Sequence, residues 1–242
     1  ICYRADLMKG NEPTSWNDLL MPKPQFKGKV TMLATERWLM LPAQKALGFS
    51  ANTQDEAEMG KVKDLLVKAK SNLLAYDDTT FYERLVSGEA VMVEAWDGWC
   101  NYGIAKNKNI KFVVPSEGSD LWADTMVVLK TSKNKEAAWK FVNWFYSTKN
   151  GGINTLQASG SLVPPTDEGI ANGAWRTLAA PPANVDVFGR AIKNSFIAPK
   201  LPGQAGTVLD TVIGDALAEV LLKNVSIEKA FKKAEAKVTA AI

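Results

Sequence analysis

The sequence predicts an α/β fold, and three observations support that prediction. Runs with β-branched content alternate with amphipathic helical segments through the first half of the chain. At 242 residues, with 46% hydrophobic and 23% charged content, the chain can bury a sizeable core as one large domain or two smaller ones. The last quarter has a helical pattern, and no internal repeat is present. Together these features indicate a globular α/β protein.

The elements of the first half follow from local signals. Ser15–Leu20 is predicted as a capped helix, 29–34 as a strand, 36–47 as a helix, 53–70 as a helix, 73–76 as a strand, 80–86 as a helix, 90–95 as a strand, 97–105 as a helix and 110–114 as a strand. Gly48 ends the helix over 36–47. Thr53 to Glu56 has the spacing of a capping box, which predicts where the next helix begins.

The second half begins after Pro115 and changes in character. It is predicted to contain a long apolar strand over 122–129, an amphipathic helix over 134–146, a loop over 151–165 and two closing helices over 206–222 and 226–242. The Pro164–Pro165 pair and the neighbouring glycines and serine indicate the loop. Strand and helix therefore form one further βα unit before the helical end.

Two tryptophan and carboxylate clusters stand where an apolar run meets a turn. They are Trp96-Asp97-Gly98-Trp99 and Leu121-Trp122-Ala123-Asp124. A short stiff element places each aromatic ring, so we expect the clusters to form two walls of one ligand pocket. A single Trp usually fills a core, and we assign that packing role to Trp16, Trp139, Trp144 and Trp175.

Charge and residue usage exclude several classes of function. The 29 Lys and Arg against 26 Asp and Glu leave a net charge of +3, and the lysines are scattered, so nucleic acid is not an expected partner. Histidine is absent, which removes the usual Ser-His and Cys-His nucleophile pairs and the commonest metal ligand. We expect no cofactor or metal. Cys2 and Cys100 allow one intramolecular bridge, which the sequence neither requires nor excludes.

The sequence contains no recognisable targeting or membrane-spanning segment. No apolar run approaches the roughly 20 residues of a membrane helix, and no signal peptide is recognisable. The chain starts at Ile1, so we expect its natural beginning to lie upstream.

Several short segments carry a resemblance to a known family. They are Lys27-Gly28-Lys29-Val30, Leu47-Gly48-Phe49-Ser50, Val86-Ser87-Gly88-Glu89-Ala90, Trp96-Asp97-Gly98, Pro115-Ser116-Glu117-Gly118 and Lys133-Asn134-Lys135-Glu136-Ala137-Ala138. In this order they resemble the extracellular solute-binding proteins of ABC importers, most closely the spermidine and putrescine receptors. The similarity runs from about Trp16 to Asn150, and the remaining third matches only through its paired helices.

The resemblance implies a periplasmic-binding-protein-like (type II) two-lobed clamp that closes on its ligand about a hinge. The resemblance further implies that one lobe is largely absent from this chain. Residues 4–122 plus 171–242 would form the second lobe, and 123–170 a remnant of the first lobe with the hinge crossings. The implied partners are a small polar or cationic solute, with a polyamine favoured, and a membrane permease. We expect a monomer that is periplasmic, or extracellular and lipid-anchored.

Ligand positions of the family carry over residue by residue. Trp96 and Trp122 match aromatics that sandwich the carbon chain of a polyamine, and Asp124 matches a carboxylate that receives an amine. Thr35 and Trp38 stand where polyamine receptors carry acidic ligands, which favours a different or less charged ligand. Ser161 matches a ligand position only loosely.

Two further cleft candidates come from the first cluster. Asp97 either binds ligand or caps the helix that follows it, and Thr35 has the same ambiguity as the cap of the helix over 36–47. Trp99 lies three residues after Trp96 on a helix start and is expected to line the cleft.

Two alternatives stay open. Sugars and polyols also stack on Trp and hydrogen-bond to Asp, so a sugar receptor of the same fold is the nearest rival. A few proteins of similar fold are enzymes with a cleft cysteine, and Cys100 at a helix start is the residue that would serve as nucleophile.

Overall fold

The structure, a computed structural model, describes residues 1–121, 124–147, 149, 151–153, 196–197, 204–223 and 225–240. In chain order its elements are β1 (Cys2–Arg4), α1 (Ala5–Met8), α2 (Trp16–Leu20), β2 (Val30–Met32), α3 (Glu36–Ala46), α4 (Glu56–Lys70), β3 (Ala75–Tyr76), α5 (Phe81–Ser87), β4 (Met92–Val93), α6 (Asp97–Lys106), β5 (Ile110–Phe112), β6 (Asp120–Leu121), α7 (Lys135–Phe145), β7 (Phe196–Ile197), α8 (Gln204–Lys223) and α9 (Ile227–Thr239). The predicted α/β class is confirmed.

A five-stranded sheet organises the first half, with the strand order β3-β2-β4-β1-β5. The strand β2 runs parallel to β3 and to β4, so that Thr31 lies opposite Ala75 on one side and Val93 on the other. The strand β1 is antiparallel to β4 and β5. The carboxyl ends of β2, β3 and β4 therefore meet at one edge, which is where open α/β sheets hold their ligands.

Helices cover both faces of this sheet. Successive strand residues point to opposite faces, so Met92 enters one apolar cluster and Val93 the other. The first cluster draws on α2, α3 and α4, and the second on α5 and α6. The predicted packing role of Trp16 is confirmed, because only 3% of it is exposed.

Helix starts agree with the sequence signals at one place and differ at another. Ser15 caps α2, and Asp18 accepts a hydrogen bond from the Ser15 backbone at 3.0 Å, completing a capping box. The helix α4 starts later than its predicted capping box: Asp55, rather than Thr53, caps it by accepting from the backbone of Ala57 and Glu58. A carboxylate two and three residues away satisfies those amides directly.

The predicted strand over 122–129 is wrong in the part that can be examined. Residues 124–129 form no strand, and Val127 and Leu129 are 74% and 67% exposed. Apolar content alone does not make a strand, because its backbone needs a pairing partner, and this segment has none among the described residues.

Helix α7 forms as predicted, yet its aromatic residues do not pack. Trp139 and Trp144 are 53% and 52% exposed, so the packing role predicted for them is wrong within the described structure. No residue of α7 is buried there. The predicted loop over 151–165 and Trp175 lie almost wholly outside the described residues.

The two closing helices are confirmed. α8 and α9 pack on each other through small residues, with Val212 and Ala216 against Ala230 and Ala234. Among the described residues, no helix combines the length and the apolar character needed to cross a membrane.

Candidate functional site

Three turns converge at the carboxyl ends of the parallel strands. The Asp77 amide donates to the Met32 carbonyl at 2.9 Å, and the Glu94 amide donates to the Thr31 carbonyl at 3.0 Å. These bonds hold the turns after β3 and β4 on either side of the turn of residues 33–35, which follows β2. Side chains from three separate stretches of sequence therefore surround one short turn.

Two tryptophans form the aromatic part of the site. The rings of Trp38 and Trp96 lie 5.3 Å apart and nearly perpendicular, at 88°. The Trp38 indole N–H donates to Asp120 at 3.0 Å. Both rings are partly buried, so they are rigid and still reachable. An edge-to-face pair of this kind fixes the angle between two ring faces.

Three carboxylates flank the same turn. The Leu33 amide donates to Glu94 Oε2 at 3.0 Å, and the next amide, that of Ala34, donates to Asp78 Oδ1 at 2.9 Å. Asp120 approaches from β6 and accepts from Trp38. Within the described part of the chain no three acidic or cysteine residues are grouped to hold a metal ion. The carboxylates are thus spread around the turn.

Glu94 is the most deeply buried of these acids, with 2% exposed. Its Oε1 has no hydrogen-bond partner among the described residues, and neither does the buried Nε1 of Trp96. Burial raises the pKa of Glu94 well above its ordinary value, and Asp120 and Asp78 raise it further, while the hydrogen bond from the Leu33 amide opposes the shift.

Asp97 and Thr35 differ from their predicted cap roles. Trp96 occupies the cap position of α6, so Asp97 is the first helical residue and not the cap. Burial raises the pKa of Asp97, and backbone amides at Asp97 and Gly98 partly offset that. Thr35 does stand at the cap of α3, but its side chain makes no capping hydrogen bond. Its hydroxyl is therefore not committed to the helix start.

Asp77, beside Asp78, serves the structure. It accepts from the backbone of Thr79 and Thr80, from the Thr80 hydroxyl at 2.7 Å and from Arg84 Nε at 2.7 Å. Burial alone would raise the pKa of Asp77, but the bonds from Arg84 and Thr80 outweigh it and hold the pKa below its ordinary value. Its acceptor sites are occupied, so it is not a ligand candidate.

Trp99 lies in an aromatic group at the surface. It is 41% exposed and contacts Tyr82 and Tyr102 at ring distances of 6.1 and 5.9 Å. Phe81 contacts both Trp99 and Trp96 and so connects this group to the site. Trp99 is placed at the rim, one ring away from the Trp38–Trp96 pair.

The second predicted wall is only partly visible. Asp124 is exposed, whereas Trp122 and Ser161 lie outside the described residues. The structure therefore brings together Thr35, Trp38, Trp96 and Asp97 from the predicted set, and the role of the second cluster stays a prediction.

Cys2 and Cys100 form a disulfide that joins β1 to α6. Both residues are fully buried, and the described chain has no free cysteine. The alternative of a Cys100 nucleophile is wrong for this structure, because the sulfur has no thiolate to offer.

Sequence reasoning missed Asp78, Glu94 and Asp120. Glu94 carried a usable signal, since an acid inside the apolar run 90–95 is out of place in a buried strand. Asp78 and Asp120 gave none, because only the sheet places them beside residues 33–35.

A model of a known protein family matches most of this chain. The family model described as bacterial extracellular solute-binding protein matches residues 1–183. The chain belongs to this family. The match extends beyond the predicted limits of Trp16 and Asn150 on both sides.

Curated relatives of this solute-binding protein are named for polyamines. It is 31% identical to a spermidine/putrescine-binding periplasmic protein of Haemophilus influenzae, over 64% of this chain and 43% of the relative. It is 28% identical to the Escherichia coli spermidine/putrescine-binding periplasmic protein, over 73% of this chain and 55% of the relative. The chain thus spans about half the length of the curated relatives it matches.

Solved structures confirm the fold. The substrate-binding protein PotD of a spermidine/putrescine ABC transporter from Streptococcus pneumoniae superposes with a TM-score of 0.68 at 21% identity, over 89% of this chain and 64% of that chain. The predicted periplasmic-binding-protein-like fold is confirmed, in a chain shorter than its relatives.

Proposed function

We propose that this chain is the substrate-binding receptor of an ABC importer and that it captures a small organic cation, of the alkyl polyamine class, by hinge closure. The observation that supports the ligand class is the grouping of Trp38 and Trp96 with the carboxylates Asp78, Glu94 and Asp120 around one turn. The relatives' names support the same class.

The chemistry of the group suits an alkylammonium. An ammonium near the face of a Trp gains roughly 0.5–2 kcal/mol, and a carboxylate adds a charge-assisted hydrogen bond that fixes the nitrogen. The methylene chain of a polyamine needs apolar faces between its charged ends, which partly buried indole rings supply. Binding of this kind requires no bond making or breaking.

Partner, location and lobe division belong to the same proposal. The receptor delivers its ligand to a membrane permease, acts as a monomer, and works in the periplasm or at the outer face of a membrane. Residues 4–122 plus 171–242 form one lobe, and 123–170 belongs to the other. This division is supported by the exposure of four apolar residues of 123–170, which are Val127, Leu129, Trp139 and Trp144. Residues 4–122 do not bury them.

Ligand screening by thermal unfolding tests the proposal. Putrescine and spermidine are expected to raise the unfolding temperature of the purified chain, because a ligand that binds only the folded state stabilises it by mass action. Isothermal titration calorimetry then gives the dissociation constants. A neutral disaccharide and a neutral amino acid serve as comparisons.

The outcome separates the two ligand classes. If the disaccharide stabilises the chain and neither amine does, the ligand is a sugar or polyol and the amine proposal fails. If none of these compounds binds, the receptor proposal fails for this chain.

A further inference from the structure

Glu94 is a buried acid with only one of its two carboxyl oxygens hydrogen-bonded within the described structure. Its Oε2 accepts from the Leu33 amide, but Oε1 has no partner among the described residues. A buried carboxylate is strongly disfavoured unless it is paired or hydrogen-bonded at both oxygens. A Gln or an apolar residue would fill the same place on β4's exit turn at lower cost, so the carboxyl group calls for another explanation.

The neighbouring charges make ionisation of Glu94 harder. Asp78, held on the adjacent amide of Ala34, and Asp120, held on Trp38, are both acidic. Tyr76, on β3, is the neighbouring phenol. Burial and then Glu94 raise the pKa of Tyr76 to about 12, so it stays neutral in the physiological range.

We propose that Glu94 exchanges a proton for the ligand: it is neutral when the site is empty, and it releases its proton to solvent when an ammonium group binds beside the turn of residues 33–35. This inference rests on the proposed function and names the buried acid that responds to the charge of the ligand. A neutral sugar would leave Glu94 protonated, because it brings no charge to offset the cost of ionising a buried acid.

Geometry supports the exchange. Glu94 and Asp78 accept from consecutive amides on the two sides of this turn, and the proposed cation lies on the Glu94 side, where Oε1 has no partner among the described residues. A positive charge within about 4–6 Å favours the ionised form of a carboxyl group, which reverses the effect of the two neighbouring acids. By linkage, a ligand that expels a proton binds more tightly as pH rises.

Calorimetry with putrescine in two buffers of different ionisation heat measures the released protons directly. Between about pH 5 and 8, where an alkylammonium stays charged, the native chain is expected to release up to about one proton per putrescine bound. Its dissociation constant is expected to fall as pH rises, by at most about tenfold per pH unit.

Two variants test whether the proton released on putrescine binding comes from Glu94. Glu94→Gln keeps the shape and an acceptor for the Leu33 amide, and its binding heat is expected to be independent of buffer. Glu235→Gln, at an exposed site on α9, is the same substitution at a residue outside the site and is expected to behave as the native chain does.

Stability of the empty chain gives an independent readout. The pKa of Glu94 is higher in the folded state than in the unfolded one, so its contribution to stability is present below pH 4.5, the ordinary value, and is lost as pH rises through the folded value. We compare the unfolding temperature of Glu94→Gln with that of the native chain at each pH. The variant's advantage is therefore expected to be larger at neutral pH than at about pH 4. Glu94→Met replaces it if the Gln variant does not fold.

The outcomes distinguish this inference from the proposed function. Putrescine binding with buffer-independent heat in the native chain, or proton release that survives Glu94→Gln, overturns the inference alone. If no amine binds at any pH, both this inference and the proposed function are overturned.

Discussion

At the scale of single residues, the site combines an aromatic side chain, Trp38, with the carboxylate of Asp120. The resemblance predicts that Trp38 stands where polyamine receptors carry an acid, and in the structure the Trp38 indole N–H donates to an acid from β6, Asp120. A carboxylate is therefore still present beside that position.

Replacement of Trp96 tests the aromatic contribution. Trp96→Leu keeps apolar bulk against Trp38 and Phe81 but removes the ring face, so the dissociation constant for putrescine is expected to rise by about 3–30-fold, corresponding to roughly 0.5–2 kcal/mol. Calorimetry measures it. Trp139→Leu, at an exposed position on α7, is the matched control and is expected to leave binding unchanged. Equal effects of the two variants would contradict a role for the Trp96 ring.

At the scale of elements, the start of α6 is held by the disulfide. The Cys100 amide donates to the Trp96 carbonyl at 3.1 Å, so the bridge to Cys2 anchors the very turn that carries Trp96 and Asp97. The cap residue Trp96 supplies no side-chain hydrogen bond to this helix start. Covalent attachment to the strand β1, which lies inside the sheet, compensates for that missing cap.

Removal of the bridge is expected to affect both stability and the site. A chain with Cys2→Ala and Cys100→Ala is expected to lose about 2–4 kcal/mol of unfolding free energy, because the bridge closes a long loop in the unfolded chain. Denaturant unfolding measures that loss, and putrescine binding is expected to weaken as the first turn of α6 loosens. A reducing agent should lower the stability of the native chain and leave the variant unchanged. An unfolding curve insensitive to both changes would contradict the anchoring role.

At the scale of the whole molecule, net charge and local charge have opposite signs. The chain carries +3, which repels a cation at long range, while the site presents several acids around one turn. Attraction for a polyamine must therefore come from short-range contacts in a partly buried place.

Salt dependence tests this distinction. Because buried interactions are screened far less than exposed ones, the dissociation constant for spermidine is expected to change less than about threefold between roughly 0.05 and 0.5 M NaCl. Calorimetry across that range measures it. A much steeper loss of affinity with salt would show that the amine binds to exposed acids instead of the site.

The sequence by itself determined the α/β class and the order of most elements, because hydrophobic period, caps and glycine ends are local properties. The family followed from the resemblance of short segments and is confirmed by the family model. The sequence also pointed to Trp96 and Asp97, which stand at the end of a recognisable strand. It misjudged 124–129, Trp139 and Trp144, because an apolar pattern does not say what covers it. Only the tertiary structure decided that Asp78, Glu94 and Asp120 share one turn with Trp38 and Trp96, and that Cys2 bonds to Cys100. Parallel pairing of β2 with β3 and β4 brings together residues about 40–60 positions apart, and no local pattern encodes that pairing.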